Sequence, residues 1–309
     1  MTAPLRLEDL HGKIIDFRLR PPTGPYRDFF TPALVERLGR MWGDDGMPAS
    51  YAASLAGGED ADERALKLLF EEMDRAGVRL GVMNGRHSPN RAVPVHIGDD
   101  YLHELEGRTQ GRMVSLAGVD LDLPMEELLL GLERAVKVLG MRGVCIEPGF
   151  ARTPMYAEDE RLMPIYQRVN DLGVPLLFMS GPLSGPDNTY TDPVHFERVA
   201  RRFPKMPVVL GHGAYPYVNE AIALAYKSEA TGVMNVYLSP DVYVFTPGGS
   251  AFVEGIRMMP ERFIYASAYA FSSIETPVRR TLELGIAPDA LRAYMYGNAA
   301  RLLKLEETQ

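Results

Sequence analysis

Two arginines separated by one residue, Arg18 and Arg20, follow the apolar pair Ile14-Ile15 at the end of the first predicted strand, Lys13–Arg18. Alternate side chains on a strand point to the same side, so both guanidinium groups are expected on one side of its end. A guanidinium keeps its proton at any working pH and has no lone pair for a metal ion. It binds a carboxylate or phosphate through two parallel hydrogen bonds. The spacing therefore predicts an anion-binding site at the end of this strand.

Short apolar runs alternate with amphipathic stretches along the chain. Leu66, Leu69, Phe70 and Met73 follow the helical spacing i, i+3, i+4, i+7. The apolar runs do not alternate with polar residues, which is typical of strands buried on both faces of a parallel sheet. Strands with helices between them predict one domain, residues 1–309, folded as a single (β/α)8 TIM barrel. The predicted strands are Lys13–Arg18, Arg79–Asn84, Met113–Asp120, Arg142–Glu147, Pro175–Met179, Met206–Gly211, Val233–Leu238 and Arg262–Ala266.

A long insertion, residues 21–60, follows the first strand and contains Phe29, Phe30 and the single tryptophan, Trp42. A loop of this length in a barrel usually carries function or local structure. We expect the insertion to cover the mouth of the barrel. The alternative is a decoration that packs on the outer helices.

Polar side chains follow most of the predicted strands, and active sites of such barrels lie at the carboxyl ends of the strands. We predict His212, Asp241 and Asp16 as catalytic residues, with His212 and Asp241 as the acid/base pair. The predicted substrate-binding residues are Arg18, Arg20, Arg86, Glu147, Asp187 and Tyr190.

Each of these assignments has an alternative. Arg18 and Arg20 could only neutralise three carboxylates, Asp16, Glu147 and Asp241, in a buried ion network. His212 could donate to a loop carbonyl, and Asp187 could cap a local turn. Four other histidines are expected on the surface: His87, His96, His103 and His195.

Four segments carry a family resemblance that spans almost the whole chain. They are Ile14-Ile15-Asp16, Val209–Pro216, Phe263–Tyr269 and the closing Gly297–Leu303. In these segments the chain resembles the amidohydrolase-related branch of the amidohydrolase superfamily, which includes aminocarboxymuconate-semialdehyde decarboxylase-like enzymes. The resemblance implies a TIM-barrel enzyme with a metal ion. In that family the metal is held by a His-x-His pair on strand one, a histidine on strand five or six, and an aspartate after strand eight.

The chain departs from this pattern at most of the metal positions. Arg18 and Arg20 replace the histidine pair, Met179 stands at the strand-five position, and Ala268 replaces the aspartate. Only His212 remains, and one histidine cannot hold a catalytic zinc ion, which takes three protein ligands. We therefore expect no metal cofactor. An alternative hypothesis keeps a metal through four side chains: Asp16, Glu147, His212 and Asp241.

The leading functional hypothesis is a metal-independent enzyme that hydrolyses a lactone or amide-like bond of a small carboxylated compound, or decarboxylates it. Arg18 and Arg20 would bind the carboxylate, and Arg86 would bind a second anionic group or a developing oxyanion. Asp16 and Glu147 would orient the arginines. The alternative from another class is a non-catalytic barrel that binds an organic acid.

Bulk properties limit the class of protein. The net charge of −8 and the lack of a basic run interleaved with aromatic residues argue against a nucleic-acid partner. No apolar stretch approaches the roughly 18 residues of a membrane helix. The single cysteine, Cys145, excludes an internal disulfide. We expect a cytoplasmic homo-oligomer.

Overall fold

Seven parallel strands form one curled sheet in the computed structural model, which describes residues 5–305. The order of the strands is β1, β2, β5, β6, β7, β8, β9, so each added strand lies beside its predecessor in this sheet. The pairing is parallel throughout, as the unbroken apolar runs predict. The strands are β1 (Ile14–Asp16), β2 (Val78–Asn84), β3 (Arg86–Ser88), β4 (Val95–Ile97), β5 (Met113–Gly118), β6 (Val144–Ile146), β7 (Leu176–Met179), β8 (Val208–Gly211) and β9 (Val236–Ser239).

The eighth position of the barrel holds an extended segment instead of a regular strand. The predicted strand Arg262–Ala266 makes a single parallel bridge, between Phe263 and Leu238 of β9. On the other side, Phe17 N donates to Tyr265 O at 3.0 Å. The fold is thus an α/β barrel of the TIM type, in which the eighth position lacks a regular strand.

Helices follow the strands and cover the outside of the sheet. Glycines with left-handed backbone lie at or just beyond several of their ends, for example Gly43 (φ 96°) after α3 and Gly173 (φ 65°) after α8. None of the helices in residues 5–305 is long and apolar enough to cross a membrane. The helices are α1 (Leu7–Leu10), α2 (Gly24–Arg27), α3 (Pro32–Trp42), α4 (Ala49–Leu55), α5 (Ala61–Arg75), α6 (Asp99–Arg108), α7 (Met125–Lys137), α8 (Met163–Leu172), α9 (Pro193–Arg202), α10 (Val218–Thr231), α11 (Ser250–Met258), α12 (Glu275–Leu282), α13 (Pro288–Arg292) and α14 (Asn298–Leu302).

The interior of the barrel is a packed apolar layer. Ile15 and Phe17 from the first strand region meet Val82 of β2, Leu177 of β7 and Val209 of β8. Cys145 belongs to the same cluster, and burial raises the pKa of its thiol to about 12. This layer fills the barrel below the mouth, so the polar residues at the strand ends have a rigid floor.

Two elements beyond the barrel reach the mouth. The short antiparallel hairpin β3–β4 follows β2 directly and pairs His87 with His96. The predicted insertion, residues 21–60, contains α2, α3 and α4. Its Phe30 ring lies 3.9 Å from that of Phe271, which comes from the segment after the eighth position. Its role as a cover stays a prediction.

Candidate active site at the carboxyl ends of the strands

Arg18, His212 and Asp241 form a cluster at the barrel mouth, in which Arg18 and Asp241 are buried and His212 is partly exposed. Arg18 Nη2 lies 2.5 Å from Asp241 Oδ2, off the direction of a regular hydrogen bond, so the contact is an ion pair. Arg18 Nη1 lies 2.7 Å from His212 Nε2 and 2.9 Å from its Nδ1. Asp241 Oδ2 lies 3.1 Å from His212 Nδ1. The imidazole is therefore held between a fixed cation and a carboxylate.

The protonation of His212 follows from these contacts. Burial, together with the neighbouring Arg18 guanidinium, lowers the pKa of His212 to about 4. At neutral pH the ring is uncharged, and the tautomer that suits its neighbours carries the proton on Nδ1, facing Asp241. Its Nε2 then holds a lone pair that accepts from Arg18. The Arg18 guanidinium also keeps the pKa of the buried Asp241 below its ordinary value, against the effect of burial.

The backbone is left-handed at three residues that follow strand positions in this region. His212 has φ 59°, Asp241 has φ 54° and Ala268 has φ 63°. Such a conformation costs a non-glycine residue of the order of 1–3 kcal/mol and is found mostly where function requires it. The clustering of three such residues around one mouth supports its interpretation as a functional centre.

Asp16 ends β1 and is wholly buried. It accepts hydrogen bonds from Ser267 N at 2.9 Å, Ser267 Oγ at 2.5 Å and Arg18 N at 3.1 Å. Burial raises the pKa of Asp16, and these donors oppose that effect. The carboxylate thus ties the end of β1 to the eighth position of the barrel.

Arg20 has other partners than Arg18, and both residues lie beyond the end of β1 at Asp16. Arg20 Nη1 donates to the carbonyl of Tyr269 at 2.5 Å. Its guanidinium lies 5.3 Å from the ring centre of Phe29 and 5.6 Å from that of Phe271. Within residues 5–305, no carboxylate forms an ion pair with Arg20. Burial and the neighbouring arginines lower its pKa.

Arg86, at the start of β3, is matched by Glu147. Arg86 Nε donates to Glu147 Oε2 at 2.5 Å, and a second contact joins Arg86 Nη2 to Glu147 Oε1. Ser88 Oγ also donates to this carboxylate. Both charged groups are buried. The pairing is of the kind that the ion-network alternative describes, so Arg86 brings little free positive charge to the mouth.

Arg91, in the turn of the β3–β4 hairpin, was not among the residues predicted from sequence. Its guanidinium lies 4.6 Å from the ring centre of Phe29 and 5.3 Å from that of Phe150. It forms no ion pair or hydrogen bond with another part of the chain that the structure describes. Burial and the nearby Arg86 lower its pKa to about 10. The hairpin strands on either side of Arg91 are too short to give a periodic pattern, so its position near the mouth could not be predicted from sequence.

Asn84, the last residue of β2, is a second group that sequence reasoning did not select. It alternates with Leu80 and Val82, which point into the barrel. Its side chain is buried, and neither Oδ1 nor Nδ2 has a hydrogen-bond partner among the described residues. Buried amide groups without hydrogen-bond partners are rare, and a bound ligand is one explanation for such a group.

A small cavity of about 40 Å³ lies at the mouth of the barrel. It is lined by Arg20, Arg86, Arg91, His212 and Tyr243, with phenylalanines on its walls. Of the six predicted binding residues, only Arg20 and Arg86 line this cavity. Arg18 and Glu147 contact its lining residues His212 and Arg86, and the other two lie apart from it. Asp187 is exposed and caps a local turn through Thr189 N at 2.8 Å, and Tyr190 stacks on Tyr156.

A separate group of possible metal ligands lies beside the hairpin. His87, His96 and Asp120 each offer one ligand atom, and these atoms lie within 4.8 Å of one another. His96 is exposed and His87 is partly exposed, as predicted for single surface histidines, but the hairpin brings them together. Their separation of nine residues across a turn is the sequence signal that could have revealed the pair.

The sequence matches the family model described as "Amidohydrolase" over residues 15–305. The chain belongs to the amidohydrolase family. This agrees with the resemblance read from its sequence segments, and it makes the protein an enzyme of the hydrolase or carboxy-lyase type. No curated protein matches the sequence at a significant level.

Several solved structures resemble the chain over nearly its full length. An uncharacterised TIM-barrel protein from Bordetella bronchiseptica is 33% identical, with 94% of this chain and 98% of that chain covered and a TM-score of 0.81. A 2,6-dihydroxybenzoate decarboxylase in complex with 2,6-dihydroxybenzoate is 18% identical (96% and 99% covered, TM-score 0.65). A dihydroxybenzoic acid decarboxylase from Polaromonas, with bound manganese and 2-nitroresorcinol, is 17% identical (96% and 98% covered, TM-score 0.62).

These findings correct one prediction. The expectation that the protein takes no metal cofactor is wrong, because structures with the same fold contain manganese and because this chain has a His-His-Asp group suited to a metal. His87 and His96 lie on the hairpin, away from the strand-end metal positions of the family pattern, and were therefore predicted to be isolated surface residues.

The mouth itself does not fit the metal that the family implies. Both ring nitrogens of His212 already have partners, Nδ1 in Asp241 and Nε2 in Arg18. The Arg18 guanidinium would repel a divalent cation at the same carboxylate. The metal-capable residues of the described chain thus lie beside the hairpin and not in the Arg18–His212–Asp241 cluster.

Proposed function

We propose that the protein is a carboxy-lyase that removes carbon dioxide from a small aromatic acid bound at the barrel mouth. The observation that carries the proposal is the pair of guanidinium groups, Arg20 and Arg91, that face the cavity without a carboxylate partner in residues 5–305. Burying unpaired cations is costly, and an anionic ligand would remove that cost. A carboxylate accepts bidentate hydrogen bonds from a guanidinium.

The walls of the cavity favour an aromatic ligand. The rings of Phe29, Phe30, Phe150 and Phe271 surround the two guanidinium groups. Aromatic rings pack well against one another and against arginine. The decarboxylases that share the fold act on dihydroxybenzoate and carboxyvanillate, as their names state, which supports the same substrate class here.

The cavity must enlarge to admit such a ligand. Its volume of about 40 Å³ is well below the roughly 300 Å³ of a typical ligand pocket. Phe29 and Phe30 belong to the insertion, and Arg91 belongs to the hairpin turn. We propose that displacement of the part of the insertion that carries Phe29 and Phe30 opens the mouth, in keeping with the predicted role of residues 21–60 as a cover.

Decarboxylation requires a proton to replace the carboxyl group. The bond between the ring carbon and the carboxylate breaks, its electron pair stays on the ring carbon, and a proton is added there. Tyr243 lines the cavity, and burial raises the pKa of its phenol to about 12, so it retains a proton to donate. Solvent water then returns a proton to the phenolate and leaves as hydroxide, while the uncharged His212 packs edge-on against the Tyr243 ring.

Hydrolysis is the second candidate, and the His212–Asp241 pair favours it. An uncharged imidazole whose Nδ1 faces a carboxylate is arranged to accept a proton from water at Nε2. In the structure Nε2 accepts from Arg18. A substrate carboxylate that binds Arg18 would compete for that guanidinium and release the lone pair. A lactone or amide of an aromatic acid is the substrate class for this reaction.

The test is a substrate panel with arginine variants. Purified protein, supplied with Mn²⁺, is incubated with hydroxybenzoic acids and with aromatic lactones, and products are followed by NMR. We expect carbon dioxide release from a hydroxybenzoic acid. Arg20→Met and Arg91→Met should each raise KM by roughly 10- to 100-fold, the equivalent of a lost charge-assisted hydrogen bond of about 1.5–3 kcal/mol. Arg161→Met, at an exposed surface pair, is the matched control.

The outcomes separate the hypotheses. Ring opening of a lactone without carbon dioxide release would favour the hydrolase. Saturable binding of aromatic acids without turnover would favour the non-catalytic binding protein. Wild-type KM in both Arg20→Met and Arg91→Met would contradict the proposed carboxylate site.

A further inference from the structure

We propose that His87, His96 and Asp120 form a divalent metal site at the base of the β3–β4 hairpin. His87 lies directly opposite His96 in the antiparallel pair, so both imidazoles are on the same face of the hairpin. Their Nδ1 atoms are 3.0 Å apart. Asp120, just beyond the end of β5, has Oδ1 3.0 Å from His87 Nε2. These two distances involve different nitrogens of the His87 ring, but one ligand atom from each of the three residues lies within 4.8 Å of the others. Three separate segments thus supply one candidate ligand each.

The charges around this point attract a cation. The two arginines that line the adjoining cavity of about 370 Å³ are already matched, Arg86 by Glu147 and Arg134 by Asp100. Asp122 Oδ2 lies 3.2 Å from His87 Nε2, but Arg152 Nη2 pairs with the same oxygen at 2.6 Å. The carboxylate of Asp120 therefore supplies the negative charge that a metal would meet here.

The donor set indicates the class of metal. Two imidazole nitrogens and one carboxylate oxygen suit late first-row divalent ions such as Zn²⁺, with water in the remaining position. The side chains of His87 and Asp120 are 16% and 22% exposed, so an ion can reach them from solvent without unfolding of the hairpin.

The position of the site suggests what the ion would do. β3 begins at Arg86, next to His87, and the hairpin turn carries Arg91 to the Phe29 ring. An ion that joins both hairpin strands to the end of β5 would fix the base from which Arg91 extends. The site would then have a positioning role, separate from the Arg18–His212–Asp241 cluster, and its existence does not depend on the proposed reaction.

Calorimetric titration of the chelator-treated full-length protein with Zn²⁺, and separately with Mn²⁺, tests the site. We expect saturable Zn²⁺ binding that His87→Gln, His96→Gln and Asp120→Asn each weaken by at least about tenfold, since even the loss of an outer-sphere partner costs that much. His195→Gln is the matched control, because His195 also contacts a carboxylate, that of Glu158 at 2.8 Å, but has no histidine partner. Cu²⁺-loaded protein should show nitrogen hyperfine coupling from two imidazoles, reduced in either histidine variant.

Other outcomes would overturn the proposal. Unchanged Zn²⁺ affinity in His96→Gln would do so, and because His96 is exposed this variant is expected to fold. Loss of binding in His212→Gln, with binding retained in the hairpin variants, would place the metal at the mouth instead. The absence of saturable binding for Zn²⁺ and Mn²⁺ would exclude the site, without bearing on the substrate panel.

Discussion

At the level of single residues, the position of the His212 ring depends on what surrounds it. Arg18 and Asp241 hold its two nitrogens, and Gly181, from the loop after β7, lies against its carbon edge. A Cβ atom at Gly181 would approach Cγ and Cδ2 of His212 to 2.6 Å, closer than any normal contact. The absence of a side chain at residue 181 therefore sets the orientation of the imidazole.

Substitution Gly181→Ala should displace the His212 ring and lower kcat by about tenfold or more, since misplacement of a catalytic group by about 1 Å costs up to 100-fold. KM should change less, because Arg20 and Arg91 do not contact this glycine. Steady-state kinetics on the substrate identified in the panel would measure the effect. Gly107→Ala, in α6 where an added Cβ meets nothing within 4 Å, is the control and should retain wild-type kcat. Wild-type kcat in Gly181→Ala would contradict the proposed role of His212.

The candidate site was predictable only in part from sequence. Arg18, His212 and Asp241 could be selected because each follows a strand, and strand ends meet at one mouth. The side chains of Arg18 and Arg20 could not be assigned separate partners, because those partners, the Asp241 carboxylate and the Tyr269 carbonyl, lie far away in the sequence. Arg91 depends on a hairpin too short to leave a periodic pattern.

At the level of elements, one tyrosine joins the insertion to the barrel. Tyr26 of α2 donates from its hydroxyl to Asn84 O at 2.7 Å and accepts from Asn84 N at 2.9 Å. The hydroxyl thus satisfies both backbone groups of the last residue of β2. Because Tyr26 is buried, water cannot readily replace it.

Substitution Tyr26→Phe should lower the free energy of unfolding by about 2–4 kcal/mol, because it leaves a buried donor and a buried acceptor without a partner. Urea denaturation of the variant and wild type measures this difference. Tyr226→Phe, at an exposed site in α10, is the control and should stay within about 0.5 kcal/mol of wild type. A loss below that value in Tyr26→Phe would show that α2 is not anchored at this point.

The main elements were largely predictable because their patterns are long. The helical spacing of Leu66, Leu69, Phe70 and Met73 falls within α5 (Ala61–Arg75), and the strand predicted at Arg79–Asn84 occurs at Val78–Asn84. The eighth strand was predicted from the apolar run at Arg262–Ala266, but an apolar pattern does not specify hydrogen-bonded neighbours. That segment makes one bridge only. The hairpin strands β3 and β4, three residues each, lie below the length at which periodicity is informative.

At the level of the whole molecule, several buried carboxyl groups make stability depend on pH. Asp99, at the start of α6, accepts from Gly118 N at 3.0 Å. Burial raises its pKa from 3.8 to about 6. Because the folded pKa lies above the unfolded one, the stabilisation from this group is fully present below pH 3.8 and is lost as the pH rises through about 6.

Substitution Asp99→Asn keeps an acceptor for Gly118 N and removes the ionisation. Relative to wild type, the variant should gain about 2 kcal/mol in unfolding free energy on going from about pH 4.5 to about pH 8, as follows from 1.36 kcal/mol per pKa unit. Denaturant unfolding at the two pH values measures the change. Asp100→Asn, at the same helix end but exposed and paired with Arg134, is the control. An equal pH response in both variants would refute the assignment to burial.

The incomplete eighth position has a consequence for the whole barrel. Along most of its circumference, neighbouring strands share two to four register pairs. The junction between β9 and β1 has fewer backbone contacts, the Leu238–Phe263 bridge and the Phe17–Tyr265 hydrogen bond, supplemented by the hydrogen bonds of Ser267 to Asp16. Lateral opening of a sheet starts where the fewest backbone bonds must break. The carbonyl of Tyr269 that receives Arg20 lies just beyond this junction. Transient separation of β9 from β1 would therefore break the hydrogen bond that positions Arg20, one of the two guanidinium groups without a carboxylate partner in residues 5–305. Anion binding and closure of the barrel wall are thus expected to be coupled.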